Sequence, residues 1–553
     1  MLQNVTTLDT TDSSSSDSNS STATPTTCLP SHDVAIGAGV GVPLGAIAIL
    51  LLIWALLERR KASRALQSQP AALGGGYSAS GHATAAAAYM NITEMNAHPP
   101  VDWSKGKKWT FTVVASLMTF SATFASSVFS TAEKQTAAEF HVSHEVTILG
   151  LSLFMLGYCF GPLLCGPLSE SHGRSLPLML GVIVFCIFQV PVAVAQNIPT
   201  TVICRFIGGL FACSPLSIVG AILANIWDPV ERGIAACIYS GATFSGPVLG
   251  PIVGGFVVDS YLGWRWTAWL TLIREVYFWV LGMVFVPGTH APTLLRWFQA
   301  RECSSDARDE LGRANANLPV SHMNWREFTT KYLARPLVML ASEPILLLTT
   351  LYMSLVYGTL YLFFEAYPIS FQDQRGWNAG VGALPFLSIT IRVVFGNLTI
   401  AATTAFHLKR KYNEGGGKVA PEERLIPMMV GAVVLPPGLF WFAWTSSTHI
   451  TWVPQVLAGI PIGMGIQVIY TMGLNYILDV YTPYAASAVS EYTFVRSMAA
   501  AGFPLFATPM YDRLGISWAT SLLGFVSVLM MPVPLLFYVY GERLRKLGRY
   551  SVK

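Results

Sequence analysis

The sequence predicts an all-α polytopic membrane protein, and three observations predict it. Hydrophobic residues make up 52% of the 553 positions and charged residues only 12%, with a mean hydropathy of +0.49, well outside the composition of a soluble domain. Apolar runs of roughly 20 residues, the length that crosses the hydrocarbon of a bilayer, recur along the chain. The polar stretches between them are short and hold most of the Lys and Arg, so the net charge of +4 reports topology rather than nucleic-acid binding.

Residues 1–34 are Ser/Thr-rich and carry two glycosylation sequons, Asn4-Val5-Thr6 and Asn19-Ser20-Ser21, so a disordered extracellular N-terminus modified at Asn4 and Asn19 is expected. An extra transmembrane helix follows over 35–57, with Gly37, Gly39, Gly41 and Gly45 in small-residue spacing and the basic flank Glu58-Arg59-Arg60-Lys61, which the positive-inside rule places in the cytoplasm. Residues 1–30 contain no Lys or Arg, whereas a cleaved signal peptide carries positive charge before its apolar core. Residues 58–108 are Ala/Gly/Ser-rich and read as a flexible cytoplasmic linker in which the sequon at Asn91 goes unused.

Length and hydropathy place about twelve further spans. Six lie in a first half over 109–289, at 109–129, 145–168, 177–195, 201–226, 234–258 and 266–286. Residues 290–343, with Arg296, Arg301, Glu302, Asp306, Arg308, Asp309, Glu310 and Arg313, are too polar for a bilayer and form a central cytoplasmic loop. Six more lie in a second half over 344–540, at 344–368, 380–405, 425–445, 453–474, 485–509 and 515–540, before a basic tail over 541–553. The loops assigned to the inside hold Arg174, Arg232, Lys409, Arg410, Lys411, Lys418, Arg424 and the tail's Arg543, Arg545, Lys546 and Arg549; those outside hold Lys134, Arg265, Arg375 and Arg513. This asymmetry puts both ends of the twelve-span unit in the cytoplasm.

The cysteines sit mostly in or beside apolar runs and read as packing residues. The sequence contains no Cys/His cluster with metal-ligand spacing, no phosphate-binding loop ending in Lys-Ser/Thr and no Ser/His/Asp pattern. Neither a metal, nor a cofactor, nor an enzyme is expected, and an ATP-driven pump is excluded for this chain by itself.

From Gly241 to Gly255 five glycines and two prolines stand inside one apolar run. Glycine lets neighbouring backbones touch and proline deletes an intrahelical hydrogen bond, so a closely packed, movable helix is expected. The loop between the second and third spans reads Gly166-Pro167-Leu168-Ser169-Glu170-Ser171-His172-Gly173-Arg174. The fourth span carries Cys204-Arg205-Phe206-Ile207-Gly208-Gly209. Further on stand Gly263-Trp264-Arg265-Trp266, the aromatic run from Tyr357 to Pro368, Pro421-Glu422-Glu423-Arg424-Leu425, and Phe503-Pro504-Leu505-Phe506.

Over roughly 105–545 this pattern resembles the major facilitator superfamily, and within it the fungal-type twelve-span drug:proton antiporters that export drugs, polyamines and secondary metabolites. The resemblance implies a fold of two six-helix halves, here with one extra N-terminal helix. It implies a conformational latch at Gly166, Glu170, Gly173, Arg174 and Asp228, in which Gly166 admits close helix approach, Glu170 caps the helix starting near Tyr484, and Arg174 pairs with Asp228 or Glu231. Ser175, where the family often has a second basic residue, implies a weaker latch. It also implies an antiporter motif at Gly246, Pro247, Gly250, Pro251, Gly254 and Gly255, and a functional arginine at Arg205, for which an outward-snorkelling residue is the competing reading.

Seven ionisable residues fall inside the spans: Arg205, Arg274, Glu275, Glu365, Arg392, Glu491 and Arg496. A charge at the centre of a span costs about 2.5–3.5 kcal/mol on insertion scales, so each needs a partner or a wet cavity. Glu365 is the first choice for a proton or substrate site, because Tyr357, Tyr361, Phe363, Phe364 and Tyr367 neighbour it in sequence and aromatic rings suit bulky apolar or cationic ligands. Arg205, Tyr361, Glu491 and Arg496 complete the set. Arg274, Glu275, Arg392 and Glu491 depart from the family pattern and fit either an unusual pocket or a self-neutralising network.

The expected function is export of small organic molecules by proton antiport, powered by the proton gradient alone, with two halves rocking about a midplane site. The expected partners are a small-molecule substrate, protons and the lipid bilayer, without nucleic acid; a monomer in the plasma membrane is expected, with the vacuolar membrane as the alternative location. A proton-coupled polyamine or nutrient transporter, or a membrane sensor, stays open as a competing reading.

Overall fold

The computed structural model describes residues 103–171, 174–227, 231–285, 335–414 and 420–551. The expected N-terminal segment with Asn4 and Asn19, the extra helix over 35–57, nearly all of the linker and most of the central loop lie outside the described residues, as do Gly173 and Asp228.

The first half contains α1 (Lys105–Ser127), α2 (Glu133–Phe140), α3 (His144–Ser171), α4 (Ser175–Ala193), α5 (Ile198–Ala212), α6 (Ser214–Ile226), α7 (Glu231–Asp259) and α8 (Arg265–Phe285). The second contains α9 (Arg335–Ser342), α10 (Pro344–Tyr367), α11 (Ala379–Ala383), α12 (Phe386–Thr403), α13 (Lys409–Glu414), α14 (Leu425–Thr445), α15 (Trp452–Val480), α16 (Ala485–Met530) and α17 (Pro532–Leu547). Eleven helical stretches among the described residues are long and apolar enough to cross a membrane. The last, Ser487–Lys546, has 60 residues, too long for one crossing. Gly515, at φ 71°, turns the chain in a conformation that side chains disfavour and divides it into the expected eleventh and twelfth spans.

Local chemistry sets the remaining boundaries. The Asn197 side chain accepts from the Thr200 amide at 2.9 Å to start α5, and Asn378 does the same for Val381 at 2.8 Å to start α11, both N-caps. The expected single span 201–226 is two helices broken at Cys213, with Pro215 in the first turn of the second. Pro cannot donate the hydrogen bond that would continue the first.

One expectation is corrected. The stretch after the first span, taken as an external loop, continues through a 3-10 turn (Val128–Ala132) into α2. Hydropathy misses it because α2 is held by polar contacts. Thr136 donates to the Ala132 carbonyl at 2.8 Å, Gln135 to the Val258 carbonyl at 2.8 Å, and Glu139 accepts from Trp264 at 2.6 Å and from Arg265 at 2.5 Å.

Close backbone approach organises the first half. A Cβ built on Gly246 would meet the Phe120 carbonyl oxygen at 2.6 Å, on Gly250 the Val128 nitrogen at 3.0 Å, and on Gly254 the Val128 oxygen at 2.8 Å. The three glycines thus form a stripe of α7 laid against α1 and the turn that follows it, as small-residue packing in membranes requires. The helix runs unbroken through Pro247 and Pro251. Gly157 and Gly161 of α3 press in the same way on Leu210, at 2.6 and 2.5 Å. Gly166 does not: a Cβ there meets nothing within 4 Å, so the close approach expected at the loop motif falls one to two turns earlier in the helix.

These contacts separate two substitutions of identical chemistry. Gly209→Ala places its methyl 3.1 Å from the Phe154 Cα and is expected to destabilise by about 1–3 kcal/mol through overpacking. Gly166→Ala leaves the unfolding temperature of the detergent-purified protein unchanged or slightly raised. Thermal unfolding of the two variants side by side checks both.

Candidate functional site at the interface between the halves

The two halves meet along α3 with α16, and along α7 with α11 and α12. At the end expected to face outward, Lys134 of α2 pairs with Asp373, Asp259 of α7 accepts from the Gly380 amide at 2.6 Å, and a Cβ on Gly255 would lie 2.6 Å from the Ala379 carbonyl oxygen. At the basic end, Arg232 of α7 and Arg424 both reach Asp479 of α15, the former at 3.6 Å. Ion pairs therefore tie the halves at both ends of this conformation. Gly255 belongs to the same motif as Gly246, Gly250 and Gly254 but faces the other half.

Beneath the Lys134–Asp373 pair three titratable side chains converge. Glu133 of α2, His144 of α3 and Glu365 of α10 bring polar atoms within 4.8 Å of one another, with His144 Nε2 3.9 Å from Glu365 Oε2. Glu133 is 1% and Glu365 4% exposed, and one carboxyl oxygen of each has no hydrogen-bond partner among the described residues. Sequence reasoning selected Glu365 and missed Glu133 and His144, because both were assigned to the external loop between the first two spans. A lone acidic residue just past a span's end was the only available signal.

One helical turn before Glu365, the Tyr361 hydroxyl lies 2.8 Å from that of Ser126 in α1, a buried contact across the halves. Tyr357, a further turn back, lies 3.5 Å from Tyr361, hydroxyl to hydroxyl. Tyr357 also joins a cluster with Phe244 of α7, Tyr470 of α15 and Tyr492 of α16. Arg496 of α16 sits among these rings, its guanidinium carbon 4.4 Å from the centroid of Tyr357, 5.2 Å from Tyr470 and 5.3 Å from Tyr492.

The aromatic run around Glu365 therefore does not line one site. Tyr357, Tyr361 and Glu365 recur every fourth residue and share the face toward the first half. Phe363 and Tyr367 point the other way, onto Phe442 of α14 at 5.1 and 5.4 Å. Helical periodicity divides what is contiguous in sequence.

Arg205 is buried, not snorkelling. Its Nε donates to the Gly150 carbonyl at 2.7 Å, Nη2 to that of Ala125 at 3.4 Å, and its guanidinium lies over Phe129 at 4.4 Å. Arg274 reaches the hydroxyl and carbonyl of Ser121 at 2.8 and 3.0 Å beside the buried Glu275. Glu491, inside the second half, accepts from Thr350 at 3.4 Å and lies apart from Glu365. Of the latch residues, Arg174 donates to the Ala221 carbonyl, and Glu231 pairs with Lys105 at 3.0 Å. The backbone of Glu170 is helical, and its expected cap falls outside the described side chains, as Asp228 does outside the described residues.

Comparison with known proteins places this architecture. The profile of the Major Facilitator Superfamily matches residues 115–504. The chain is 50% identical over 455 residues to the citrinin biosynthesis cluster MFS transporter of Monascus ruber, covering 82% of this chain and 90% of that protein. It is 48% identical over 455 residues to the ascochitine biosynthesis cluster MFS transporter of Didymella fabae, covering 82% and 87%. Among solved structures, the proton:xylose symporter XylE bound to 6-bromo-6-deoxy-D-glucose aligns with a TM-score of 0.56 at 16% identity, over 80% of this chain and 99% of that one; this likeness concerns the fold alone. With twelve apolar crossings among the described residues, set in two halves with a motif-bearing helix at their interface, the chain is a multi-pass membrane transporter of the major facilitator superfamily.

Proposed function

We propose that this transporter exports a small organic molecule, of the secondary-metabolite class for which its relatives are named, by proton antiport with alternating access. The observation that carries the proton reading is the placement of Glu133 and Glu365. Each half contributes one carboxyl group to a buried contact, with His144 beside them. Two ionised carboxylates that close repel, and one added proton between them relieves the repulsion. Proton uptake would then let the halves meet at the outer end, and proton loss would push them apart.

The surrounding charges fit this role. Arg205 lies on the Glu133 side and Lys134 and Asp373 above the pair, so the pair sits between a fixed cation and an exposed ion pair that opens when the halves separate. Protons arriving from an acidic exterior would meet Glu365 and Glu133 first. Coupling follows if substrate and proton favour opposite states. The plasma membrane is the location consistent with export to the exterior.

Cells expressing the chain and preloaded with aromatic acids, apolar toxins, cationic drugs or polyamines are expected to export at least one class above a vector control, and a protonophore should abolish that export. Glu365→Gln and Glu133→Gln should each remove the dependence on the pH gradient while leaving the protein folded. Gradient-driven export that survives Glu365→Gln would remove that residue from the mechanism. A second measurement addresses alternating access: oxidising the double variant Lys134→Cys, Asp373→Cys should stop export by tying the outer end shut, and reductant should restore it.

A further inference from the structure

We infer that the substrate is an aromatic anion, bound by the guanidinium of Arg496 within the Tyr357–Tyr470–Tyr492 cluster; the inference deepens the transport reading above and rests on it. Arg496 is 1% exposed. Its Nη1 donates to the Tyr470 hydroxyl, while Nε and Nη2 have no acceptor among the described residues. No described carboxylate forms an ion pair with it; its surroundings are the rings of Tyr357, Tyr470 and Tyr492.

Three physical points turn that environment into a specificity. A buried charge without a counter-charge is costly, and ring faces answer that cost only in part. The structure thus leaves Arg496 with an unmet demand for an anion. Nε and Nη2 lie on one edge of the planar guanidinium, and two parallel N–H groups on one edge match the two oxygens of a carboxylate. The rings clustered about the guanidinium are Tyr357, Tyr470 and Tyr492 of the second half, and Phe244 of the first half packs on Tyr357 and Tyr470. Phe244 stands edge-on to Tyr470 at 4.6 Å, and a planar aromatic ligand packs on rings in the same edge-on or offset ways.

Position supports the same conclusion. Arg496 lies among α7, α10, α15 and α16, away from the Glu133–His144–Glu365 group at the outer end, so proton and substrate occupy separate places on one interface. Polyamines and cationic drugs would bring like charge against a buried arginine. An inside-negative membrane favours the exit of an anion, so an anionic substrate also suits export.

The test is binding to the purified full-length protein, which needs no gradient. Thermal stabilisation is titrated with 2-naphthoate and salicylate, with their methyl esters, and with 1-naphthylmethylammonium. The acids should stabilise the wild type, and the esters and the amine should not. Arg496→Gln should weaken acid binding by about 10- to 100-fold, the worth of a lost charge-assisted pair. Arg496→Lys keeps the charge but loses the two-pronged edge, and should fall between the two. Since Arg496→Gln is liable to misfold, Arg496→Lys and the acid-versus-ester comparison on the wild type each stand independently. Equal stabilisation by acid and ester, stabilisation by the amine instead, or none by either acid would overturn the inference. Acid binding that meets these expectations, with export indifferent to a pH gradient, would leave it standing and refute the antiport reading.

Discussion

Hydrocarbon supplies no hydrogen-bond partner, so every charge that this chain carries into the bilayer must be met by another helix. The first half surrounds its arginines with partners. Arg205 is held by the carbonyls of Gly150 and Ala125 and by the faces of Phe129 and Phe154, and Arg274 by the hydroxyl and carbonyl of Ser121. These arginines cross-brace α1, α3, α5 and α8. The second half leaves more unmet. Arg392 is 0% exposed and pressed against the bare backbone of Gly463; among the described residues none of its three nitrogens has a hydrogen-bond partner, and Nε and Nη2 of Arg496 have none either.

The glycine stripe of α7 follows from the same constraint. Without a hydrophobic drive between helices in lipid, backbones associate by close contact. Gly246, Gly250 and Gly254 tie α7 to α1 within its own half, and Gly255 offers a smooth face to Ala379 of the other. Ion pairs between the halves, Lys134–Asp373 and Arg232–Asp479, stand at the two ends of the interface that α7 lines.

Glu133 and Glu365 come together only where the halves meet. One oxygen of each carboxyl group has no hydrogen-bond partner among the described residues. The Tyr357–Tyr361–Ser126 hydroxyls run from that pair toward the Arg496 cluster, joining the two chemically distinct parts of the interface along one face of α10.

By itself the sequence determined the class of protein, the two-half fold and the glycine-rich helix. Each rests on local properties: span length is hydrophobic length, and a glycine stripe is read over a few residues. It also marked Glu365, Tyr361, Arg205 and Arg496, since a charge or hydroxyl inside an apolar run is conspicuous. Tertiary structure decided where those residues sit and what they touch. It extended the first span into α2 through polar contacts that hydropathy does not register, brought Glu133 and His144 to Glu365, turned Phe363 and Tyr367 away from it, and set Arg496 among rings with no ion-paired carboxylate among the described residues. Those outcomes depend on which helices touch, and spans of nearly uniform apolar composition carry little information about their neighbours until they pack.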